Sequence, residues 1–438
     1  MKKYPIIVDL DKTLIKNDLF QELFFNYFLK KPITSIISLF KNGVLKTKKK
    51  LLIDENLKEI NIIPNENLIH SLKNEHEKGR DIYLVTASTQ NYASKIKSIY
   101  PFFKEVYGST DINLKGQHKI NFIKENISSE FDYYGDSFAD KIIFKEAQNY
   151  LKINTFKFIN LIKLMRIKHW LKNILIFIPI LLTPDRITYD NLLNLCVGFF
   201  TFSLTASFGY VFNDLIDFES DRNHPIKKGR PIASGDIGVK ESILTLFSIL
   251  VLIIFLASTL VNTSLVLLIS YFVINLSYSF KLKEIKWLDV LLLSSFYLIR
   301  LLFGGSITSI EISYWLLFTS FFAFFFLSID KRLNELLNSK KNNSRRAYRT
   351  LDINTLNTLR ISSALFCAFI YNFFLYEELT HFLEYKNYIL MLSFLISLYI
   401  QLTLLDDKEE DLVKKITTNK SIIIGLLFLA AIYFYVKF

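Results

Sequence analysis

The sequence predicts an N-terminal α/β domain built on a parallel sheet, fused to an all-α polytopic membrane domain of about nine transmembrane helices. Of the 438 residues, 51% are hydrophobic and 15% are aromatic, a composition too apolar for an ordinary soluble protein. The apolar residues are also unevenly distributed. Charged residues occur throughout the first part, whereas most later segments are apolar over about 18–22 residues, enough to cross a bilayer. We therefore place the two predicted domains at residues 1–150 and 155–438.

Three features of the sequence argue against a nucleic-acid-binding, disulfide-bonded or secreted protein: its charge distribution, its cysteines and its amino terminus. The net charge of +12 does not indicate nucleic-acid binding, because most basic residues lie in loops between apolar runs. Cys196 and Cys367 both lie inside apolar runs, so we expect them to be buried and predict no disulfide. The amino terminus leads into a very short apolar stretch, which predicts no signal peptide and a cytoplasmic N-terminal domain.

Polar residues follow each of three predicted strands in the N-terminal domain. They are Asp9 and Asp11 after the strand 5–8, Thr86 after 81–85, and Asp136 and Asp140 after 131–134, with Lys119 opening a helix between the last two strands. Strands that alternate with helices form parallel sheets, whose ligands bind beyond the carboxyl ends of the strands. We therefore expect these groups to converge on one crevice, where carboxylates, a hydroxyl and an ammonium suit phosphoryl transfer.

These four elements, in this order, resemble the haloacid-dehalogenase superfamily of phosphatases. The resemblance implies that Asp9 is the nucleophile, Asp11 the acid/base, and Thr86 and Lys119 phosphate ligands. It also implies a Mg²⁺ site formed by Asp9, Asp11, Asp136 and Asp140, and a small helical cap over residues 19–74. The alternative is a degenerate domain that serves as a scaffold.

An acidic cluster ends the second apolar run. Asn213, Asp217 and Asp221 fall at i, i+4 and i+8, so a continuing helix places them on one face, next to Asp214. Carboxylates beside a membrane helix are costly unless a cation or cavity accepts them, so they mark a functional site. With the Lys and Arg residues that follow, they suit Mg²⁺ carrying a phosphorylated substrate. A solvated helix end is the alternative.

The predicted membrane spans alternate regularly with basic loops. The spans are 172–184, 191–212, 240–260, 263–280, 287–306, 312–329, 358–376, 387–405 and 421–437. Lys and Arg are dense before the first span and in the loops 213–240, 281–286, 330–361 and 406–420. The positive-inside rule therefore predicts an inner-membrane protein with its N-terminal domain and charged motifs in the cytoplasm and its carboxyl terminus outside.

Three further polar groups lie on the predicted cytoplasmic side. They are Arg166, His169, Trp170, Lys172 and Asn173 at the entry to the first span; Tyr278, Lys281 and Lys283 at the end of the fourth, with Lys286 and Asp289 opening the fifth and Arg300 deeper inside it; and Lys331, Arg332 and Glu335 at the end of the sixth. Interfacial anchoring is an alternative for several of them. Arg300 lies well inside an apolar span, where we expect it to need a carboxylate, a phosphate or water.

The membrane part resembles the UbiA-type membrane prenyltransferase superfamily. The resemblance rests on Asn213-Asp214-x-x-Asp217-x-x-x-Asp221 and on Arg230-Pro231-Ile232-Ala233-Ser234-Gly235. Within the superfamily, Arg222-x-His224-Pro225-x-Lys227 and Lys331-Arg332-x-x-Glu335 are most similar to decaprenyl-phosphate phosphoribosyltransferases. Members that prenylate aromatic compounds usually carry a second Asp-x-x-x-Asp motif. Here Leu293 stands four residues after Asp289, which favours a single metal, and Ile167-Lys168 also departs from the family's pattern.

The resemblance implies Mg²⁺-dependent transfer of a 5-phosphoribosyl group from phosphoribosyl diphosphate to a polyprenyl phosphate. Asp214, Asp217 and Asp221 would be the catalytic metal ligands, and the fused phosphatase would remove the 5-phosphate of the product. The implied substrate ligands are Arg166, His169, Lys172, Asn173, Asn213, Arg222, His224, Lys227, Arg230, Tyr278, Lys283, Arg300, Lys331 and Arg332. The partners are therefore a lipid carrier and phosphoribosyl diphosphate, and a homo-oligomer is left open.

Two alternatives to this function remain at the level of the sequence. One is transfer of a prenyl group from a polyprenyl diphosphate to an aromatic or other small acceptor, on the same fold. The other is a transporter or lipid-binding membrane protein with a regulatory soluble domain, for which acidic residues at mid-membrane depth would be expected. The acidic cluster lies instead at the predicted cytoplasmic edge, which favours an enzyme.

Overall fold

The structure is a computed structural model that describes residues 4–38, 41, 47, 62–136, 140–153, 157–280, 282, 285, 287–338, 353–378, 385–406, 415 and 417–437. The chain forms two compact units. The first contains Met1–Met165 together with Asp214–Phe247, and the second contains Arg166–Asn213 together with Ser248–Phe438. The segment 214–247, which connects the second and third predicted spans, therefore groups with the N-terminal region. The domain boundary near residue 150 stays a prediction.

A five-stranded parallel sheet forms the centre of the N-terminal region, as the sequence predicts. Its strands are β1 (Ile6–Val8), β2 (Ile82–Thr89), β3 (Glu105–Ser109), β4 (Asp132–Gly135) and β5 (Tyr150–Lys152), in the order β3-β2-β1-β4-β5. The central strand β1 pairs with both β2 and β4. The sequence did not predict β3 and β5, which are short and carry charged or exposed residues.

Both faces of the sheet are covered by apolar side chains. Ile6 and Val8 of β1 belong to one buried cluster and Ile7 to another, because successive residues of a strand point to opposite faces. The helices of this region are α1 (Leu19–Lys30), α2 (Glu66–Glu77), α3 (Gln90–Ile99), α4 (Gln117–Asn126), α5 (Lys141–Glu146) and α6 (Phe158–Leu164). The predicted cap over 19–74 lies partly outside the described residues, since only 41 and 47 are described between 39 and 61.

Long apolar helices dominate the rest of the chain. After the short α7 (Ile178–Leu181) they are α8 (Tyr189–Arg222), α9 (Val239–Ala257), α10 (Asn262–Phe280), α11 (Leu288–Thr308), α12 (Tyr314–Asn338), α13 (Ile353–Glu378), α14 (Lys386–Asp406) and α15 (Lys420–Lys437). In the described part of the chain, seven of them are long and apolar enough to cross a membrane, namely α8 to α11 and α13 to α15. The count of about nine spans stays a prediction.

The first predicted span, 172–184, is not one continuous α-helix. A 3₁₀ helix covers Ile167–Phe177 and leads into α7, which has a proline in its first turn. The 3₁₀ form places residues three apart on one side, and Asn173 and Ile176 are indeed both buried. They face the core of the second unit, where Ile176 packs in one cluster with Phe202 and Phe303.

The two cysteines differ in their surroundings. Cys367 is buried as predicted, whereas Cys196 is exposed, so the prediction for Cys196 was wrong. Its neighbour Leu195 is fully buried. An apolar run shows that a helix lies in an apolar medium, but it does not show which face another helix covers.

We expect Gly304→Ala to destabilise the second unit, because a Cβ at Gly304 would lie 1.9 Å from the carbonyl oxygen of Ile176. Backbone cannot move aside as the end of a flexible side chain can, so the cost should be about 1–3 kcal/mol or more. The measurement is the melting temperature of the detergent-solubilised protein. Gly229→Ala is the matched control, since nothing lies within 4 Å of the Cβ position there. Equal melting temperatures for the two variants would contradict this packing.

Candidate active sites

Three carboxylates meet at the carboxyl end of the sheet in the N-terminal region. Oxygen atoms of Asp9, Asp136 and Asp140 all lie within 4.8 Å of one another, the only such group in the described part of the chain. Burial, and then repulsion from Asp9 and Asp140, raise the pKa of Asp136 to about 7. Burial also raises the pKa of Asp9, against the opposing effect of Lys119. A divalent cation would relieve this repulsion, so the donor set fits a hard metal ion such as Mg²⁺.

Lys119 and Tyr133 connect two of these carboxylates. The Lys119 Nζ lies 3.0 Å from Asp9 Oδ1 and also donates to the Tyr133 hydroxyl, which donates to Asp140 Oδ1 at 3.1 Å. Burial, the largest cause, raises the pKa of Tyr133 well above its usual 10, so the phenol stays protonated and serves as a donor. The sequence did not indicate Tyr133 as a site residue, because a tyrosine within a buried strand also suits a purely apolar core.

Asp11 has different partners. Its Oδ2 accepts a hydrogen bond from the Ser88 hydroxyl at 2.6 Å, and its Oδ1 accepts one from the backbone N–H of Leu19 at 3.0 Å. The Ser88 N–H in turn donates to the hydroxyl of Thr86, which is fully buried. The group of three carboxylates does not include Asp11, whose contribution to a metal site stays a prediction. Ser88 is a further site residue that the sequence did not single out.

The acidic cluster of α8 lies in the last turns of the helix, which continues to Arg222 as predicted. Asp214 and Asp221 are buried, and both accept hydrogen bonds from a single atom, Arg230 Nη1, at 3.0 and 2.6 Å. Two carboxylate oxygens therefore converge on one point of positive charge. Asp217 is half-buried, and Asn213 is also half-buried in the preceding turn.

The basic residues after α8 lie at different distances from these carboxylates. Lys227 Nζ is 4.0 Å from Asp221 Oδ1. Burial, followed by the positive charge of Lys227, lowers the pKa of His224, which favours its neutral form at neutral pH. Arg222, a predicted substrate ligand, instead donates to Glu22 at 2.5 and 2.9 Å and to the carbonyl oxygen of Ala233 at 3.2 Å.

In the second unit, Arg300 lies against neutral groups rather than against a carboxylate. It donates to Asn173 Oδ1 at 2.7 Å and to the carbonyl oxygen of Phe296 at 2.5 Å. Its guanidinium also lies 5.1–5.4 Å from the ring centres of Phe202, Tyr271 and Tyr297. Among the described residues, amide and carbonyl acceptors and aromatic faces hold this buried guanidinium in place of a carboxylate, while a phosphate partner stays a prediction.

Arg166 and His169 both contact Tyr210. The guanidinium carbon of Arg166 lies 4.9 Å from the ring centre of Tyr210, and the His169 ring lies 5.7 Å from it. Arg166 has a φ of 52°, which turns the chain into the 3₁₀ helix that follows. Lys172 and Trp170 are both half-buried, and the Trp170 indole N–H donates to the buried Ser207 hydroxyl at 2.9 Å. No sequence pattern indicated Tyr210, which lies within an apolar run.

An ion pair occupies the position where a second acidic motif would begin. Arg332 donates to both oxygens of Asp289, at 2.6 and 3.0 Å, and Tyr278 donates to Asp289 Oδ1 at 2.7 Å. The side chains of Arg332 and Asp289 are 1% and 0% exposed. Arg332 also pairs with Glu335 at 2.6 Å, while Lys331 is half-buried. Lys281, Lys283 and Lys286 lie outside the described residues.

A second buried ion cluster, which the sequence did not predict, lies around Asp330. Lys415 Nζ lies 2.5 Å from its Oδ2, and Arg360 Nη1 lies 2.8 Å from its Oδ1. The three residues come from widely separated parts of the chain, so no local pattern could indicate their contact. The cluster joins α12, α13 and Lys415, and it neutralises a buried carboxylate.

Comparison with known proteins identifies the family to which the membrane part belongs. The model of the UbiA prenyltransferase family matches residues 176–433, more than half of the chain. The chain belongs to the UbiA prenyltransferase family. With seven described helices able to span a bilayer, this UbiA-family protein is an integral membrane transferase.

Similar proteins differ in how much of the chain they match. A Sinorhizobium fredii protein described as "Uncharacterized protein y4nM" is 30% identical over 369 residues, which cover 78% of this chain and 71% of that protein. This share exceeds the segment after residue 155, so the likeness reaches into the N-terminal region. Decaprenyl-phosphate phosphoribosyltransferase of Mycolicibacterium smegmatis is 36% identical over 182 residues, 40% of this chain and 57% of that enzyme. The match thus spans little more than half of that relative.

Among solved structures, a UbiA homologue from Archaeoglobus fulgidus bound to GPP and Mg²⁺ is similar to this chain. The match has a TM-score of 0.49 and 19% identity, and it covers 64% of this chain and 99% of that protein.

We expect Arg332→Gln to destabilise this UbiA-family protein by about 3–5 kcal/mol, because it leaves Asp289 as a buried carboxylate without its main cation. The double variant Asp289→Asn/Arg332→Gln removes both charges and should recover much of the loss. Thermal unfolding of the purified protein in detergent measures both. If the double variant is no more stable than the single one, the ion pair does not carry this energy.

Proposed function

We propose that the membrane part transfers a 5-phosphoribosyl group from phosphoribosyl diphosphate to a polyprenyl phosphate, and that it acts on the cytoplasmic side of the inner membrane. The observation that carries the proposal is the convergence of Asp214 and Asp221 on Arg230 Nη1. Carboxylates placed to bind a positive charge can also bind the metal ion of a metal–diphosphate group. Arg230 can bind the oxygens of the diphosphate. Asp217 is proposed as a further ligand from the same helix end.

Mg²⁺ at this position would supply a Lewis acid for the leaving diphosphate. Arg230 and Lys227 then stabilise the negative charge that develops as the bond from the anomeric carbon to the diphosphate oxygen breaks. The lipid phosphate is already anionic, so its oxygen attacks the anomeric carbon without a general base. The other predicted basic ligands, Lys172 and Lys331 among them, stay proposed substrate ligands.

The pairing of Asp289 with Arg332 supports phosphoribosyl transfer over prenyl transfer. In family members that prenylate aromatic compounds, this helix usually carries a second pair of carboxylates. In this chain its single carboxylate is bound by an arginine. One metal site with several basic groups suits one diphosphate donor and an anionic acceptor. The resemblance to decaprenyl-phosphate phosphoribosyltransferases, at 36% identity over 182 residues, supports the same substrates.

Prenyl transfer from a polyprenyl diphosphate to a small acceptor is the second candidate. It is favoured by the description of the matching family, which is one of prenyltransferases. The two candidates differ in the group that moves, so labelled donors separate them.

The decisive assay offers the purified full-length protein radiolabelled phosphoribosyl diphosphate with polyprenyl phosphate, and separately a labelled polyprenyl diphosphate with an aromatic acceptor. We expect lipid-linked label from the first donor only.

Asp214→Asn should lower this rate about 100-fold or more, since it removes a charged oxygen ligand of the metal. Asp190→Asn, at the exposed first turn of the same helix, is the control and should keep full activity. Label incorporated only from the prenyl donor would overturn the proposal.

For the N-terminal region we propose a phosphatase of the haloacid-dehalogenase type that removes the 5-phosphate of the lipid-linked product. Asp9 attacks phosphorus while Lys119, 3.0 Å from Asp9 Oδ1, orients it and binds phosphate. Asp11, held by Ser88 and the Leu19 N–H, protonates the leaving ribose oxygen and then accepts a proton from the attacking water. Asp136 and Asp140 complete the proposed metal site with Asp9. Removal of the phosphate would draw a reversible transfer forward.

An Asp9→Asn variant tests this second step. It should accumulate lipid-linked phosphoribose, whereas the unaltered protein should yield lipid-linked ribose, because the amide cannot attack phosphorus. Mass spectrometry of the extracted lipid separates the two products. Glu125→Gln, an exposed change on α4, serves as control. Identical products from Asp9→Asn and the control would show that the phosphatase does not act on this lipid.

A further inference from the structure

A buried ion pair between Glu22 and Arg222 joins the N-terminal region to the segment 214–247. Glu22, on α1, accepts hydrogen bonds from Arg222 Nη2 at 2.5 Å and Nη1 at 2.9 Å, and the two side chains are 13% and 8% exposed. Asn17 donates to the same carboxylate at 3.0 Å. Burial raises the pKa of Glu22, and the hydrogen bond from Arg222 opposes that shift. The carboxylate is thus fixed by two partners in a place where an unpaired charge is costly.

Arg222 links this ion pair to the acidic helix end. It directly follows Asp221, its guanidinium lies 4.9 Å from the ring centre of Phe218, and its Nε donates to the carbonyl oxygen of Ala233 at 3.2 Å. The loop that contains Ala233 begins with Arg230, the residue that binds Asp214 and Asp221. Arg222 therefore fixes both the last turn of α8 and the loop that supplies its cation.

Four further polar contacts surround this ion pair. Lys12 pairs with Glu241 at 2.6 Å, Lys16 with Asp236 at 3.3 Å, Asn26 donates to Glu219 at 2.5 Å, and the Lys240 N–H donates to Gln21 at 3.2 Å. Gly235, with a φ of 73°, approaches Lys16 so closely that a Cβ would lie 2.9 Å from the lysine Cβ. Nearby Ile232, Ala233 and Ile237 are almost fully buried. The surface combines charge pairs, close backbone approach and apolar burial.

We propose that Glu22 is a positioning residue for the transferase: by holding Arg222, the N-terminal region fixes Asp221 and Arg230 in the geometry that binds the metal–diphosphate group. The transferase then depends on the N-terminal region independently of any phosphatase chemistry. The proposal rests on the proposed function only in the identity of the diphosphate donor. The contacts themselves do not depend on which group is transferred.

The test compares Glu22→Gln with Asn26→Ala, which removes an exposed contact to the same segment but leaves Arg222 paired. Glu22→Gln should raise the half-saturating concentrations of Mg²⁺ and phosphoribosyl diphosphate about tenfold, the usual effect of losing a buried charge-assisted hydrogen bond. The KM for the polyprenyl phosphate should stay unchanged. Asn26→Ala should remain within about twofold of the unaltered protein in every constant. Glu22→Asp, which keeps the charge, should fall between them.

A second measurement is independent of the reaction. Mg²⁺ with inorganic diphosphate should raise the melting temperature of the unaltered protein, and Glu22→Gln should need about tenfold more of both for the same shift. If phosphoribosyl transfer is absent but this difference persists, the proposed donor is wrong and the role of Glu22 stands. A general loss of stability would instead lower the rate without changing either half-saturating concentration. That result, or equal behaviour of Glu22→Gln and Asn26→Ala, would overturn the proposal.

Discussion

Buried carboxylates that must be held by cations are the constraint on which this structure depends. Asp289 binds Arg332, Asp330 binds Lys415 and Arg360, and Asp214 and Asp221 share Arg230. In a chain that spans a membrane, little water is available to solvate such groups, and an unpaired charge costs several kcal/mol. Each pairing also joins two parts of the chain, so neutralising the charge and fixing the helix ends are achieved by the same contacts.

The acidic groups differ in how far they are already neutralised. The cluster of Asp9, Asp136 and Asp140 has Lys119 as its close cation, and burial, followed by repulsion from Asp9 and Asp140, raises the pKa of Asp136. A divalent ion would therefore bind there to an excess of negative charge. At the end of α8, by contrast, Asp214 and Asp221 are already paired with Arg230. The metal site proposed there would favour a metal that arrives with a diphosphate, because the arginine would then have new acceptors.

The segment 214–247 physically connects the N-terminal region to the proposed transferase site. It contains the acidic helix end, Arg230 and the start of α9, and it forms one compact unit with the N-terminal region. The loop after β1 also contacts this segment, since Lys12 pairs with Glu241. Because Lys12 directly follows Asp11, this ion pair lies beside one of the two proposed active sites.

The sequence by itself determined the features that depend on local periodicity. The parallel sheet, the polar residues after its strands, the bounds of helices such as Asn262–Phe280 and the phase of the acidic residues on α8 all follow from patterns within a few residues. Family membership followed from motifs of the same kind. The residues that line the carboxyl edge of the sheet were also predictable, because parallel strands bring their ends together.

Only the tertiary structure decided which charges pair. The paired residues are far apart in the sequence: Arg332 and Asp289 are separated by 43 positions, Lys415 and Asp330 by 85, and Arg222 and Glu22 by 200. Each of these side chains has several possible partners of opposite charge, and packing of distant segments selects one. The same holds for Tyr133, whose hydroxyl reaches the carboxylates only because β4 lies beside β1, and for the exposed face of Cys196. A pattern within one segment specifies an element and its apolar face, but the partner of that face is set by the packing of the whole chain.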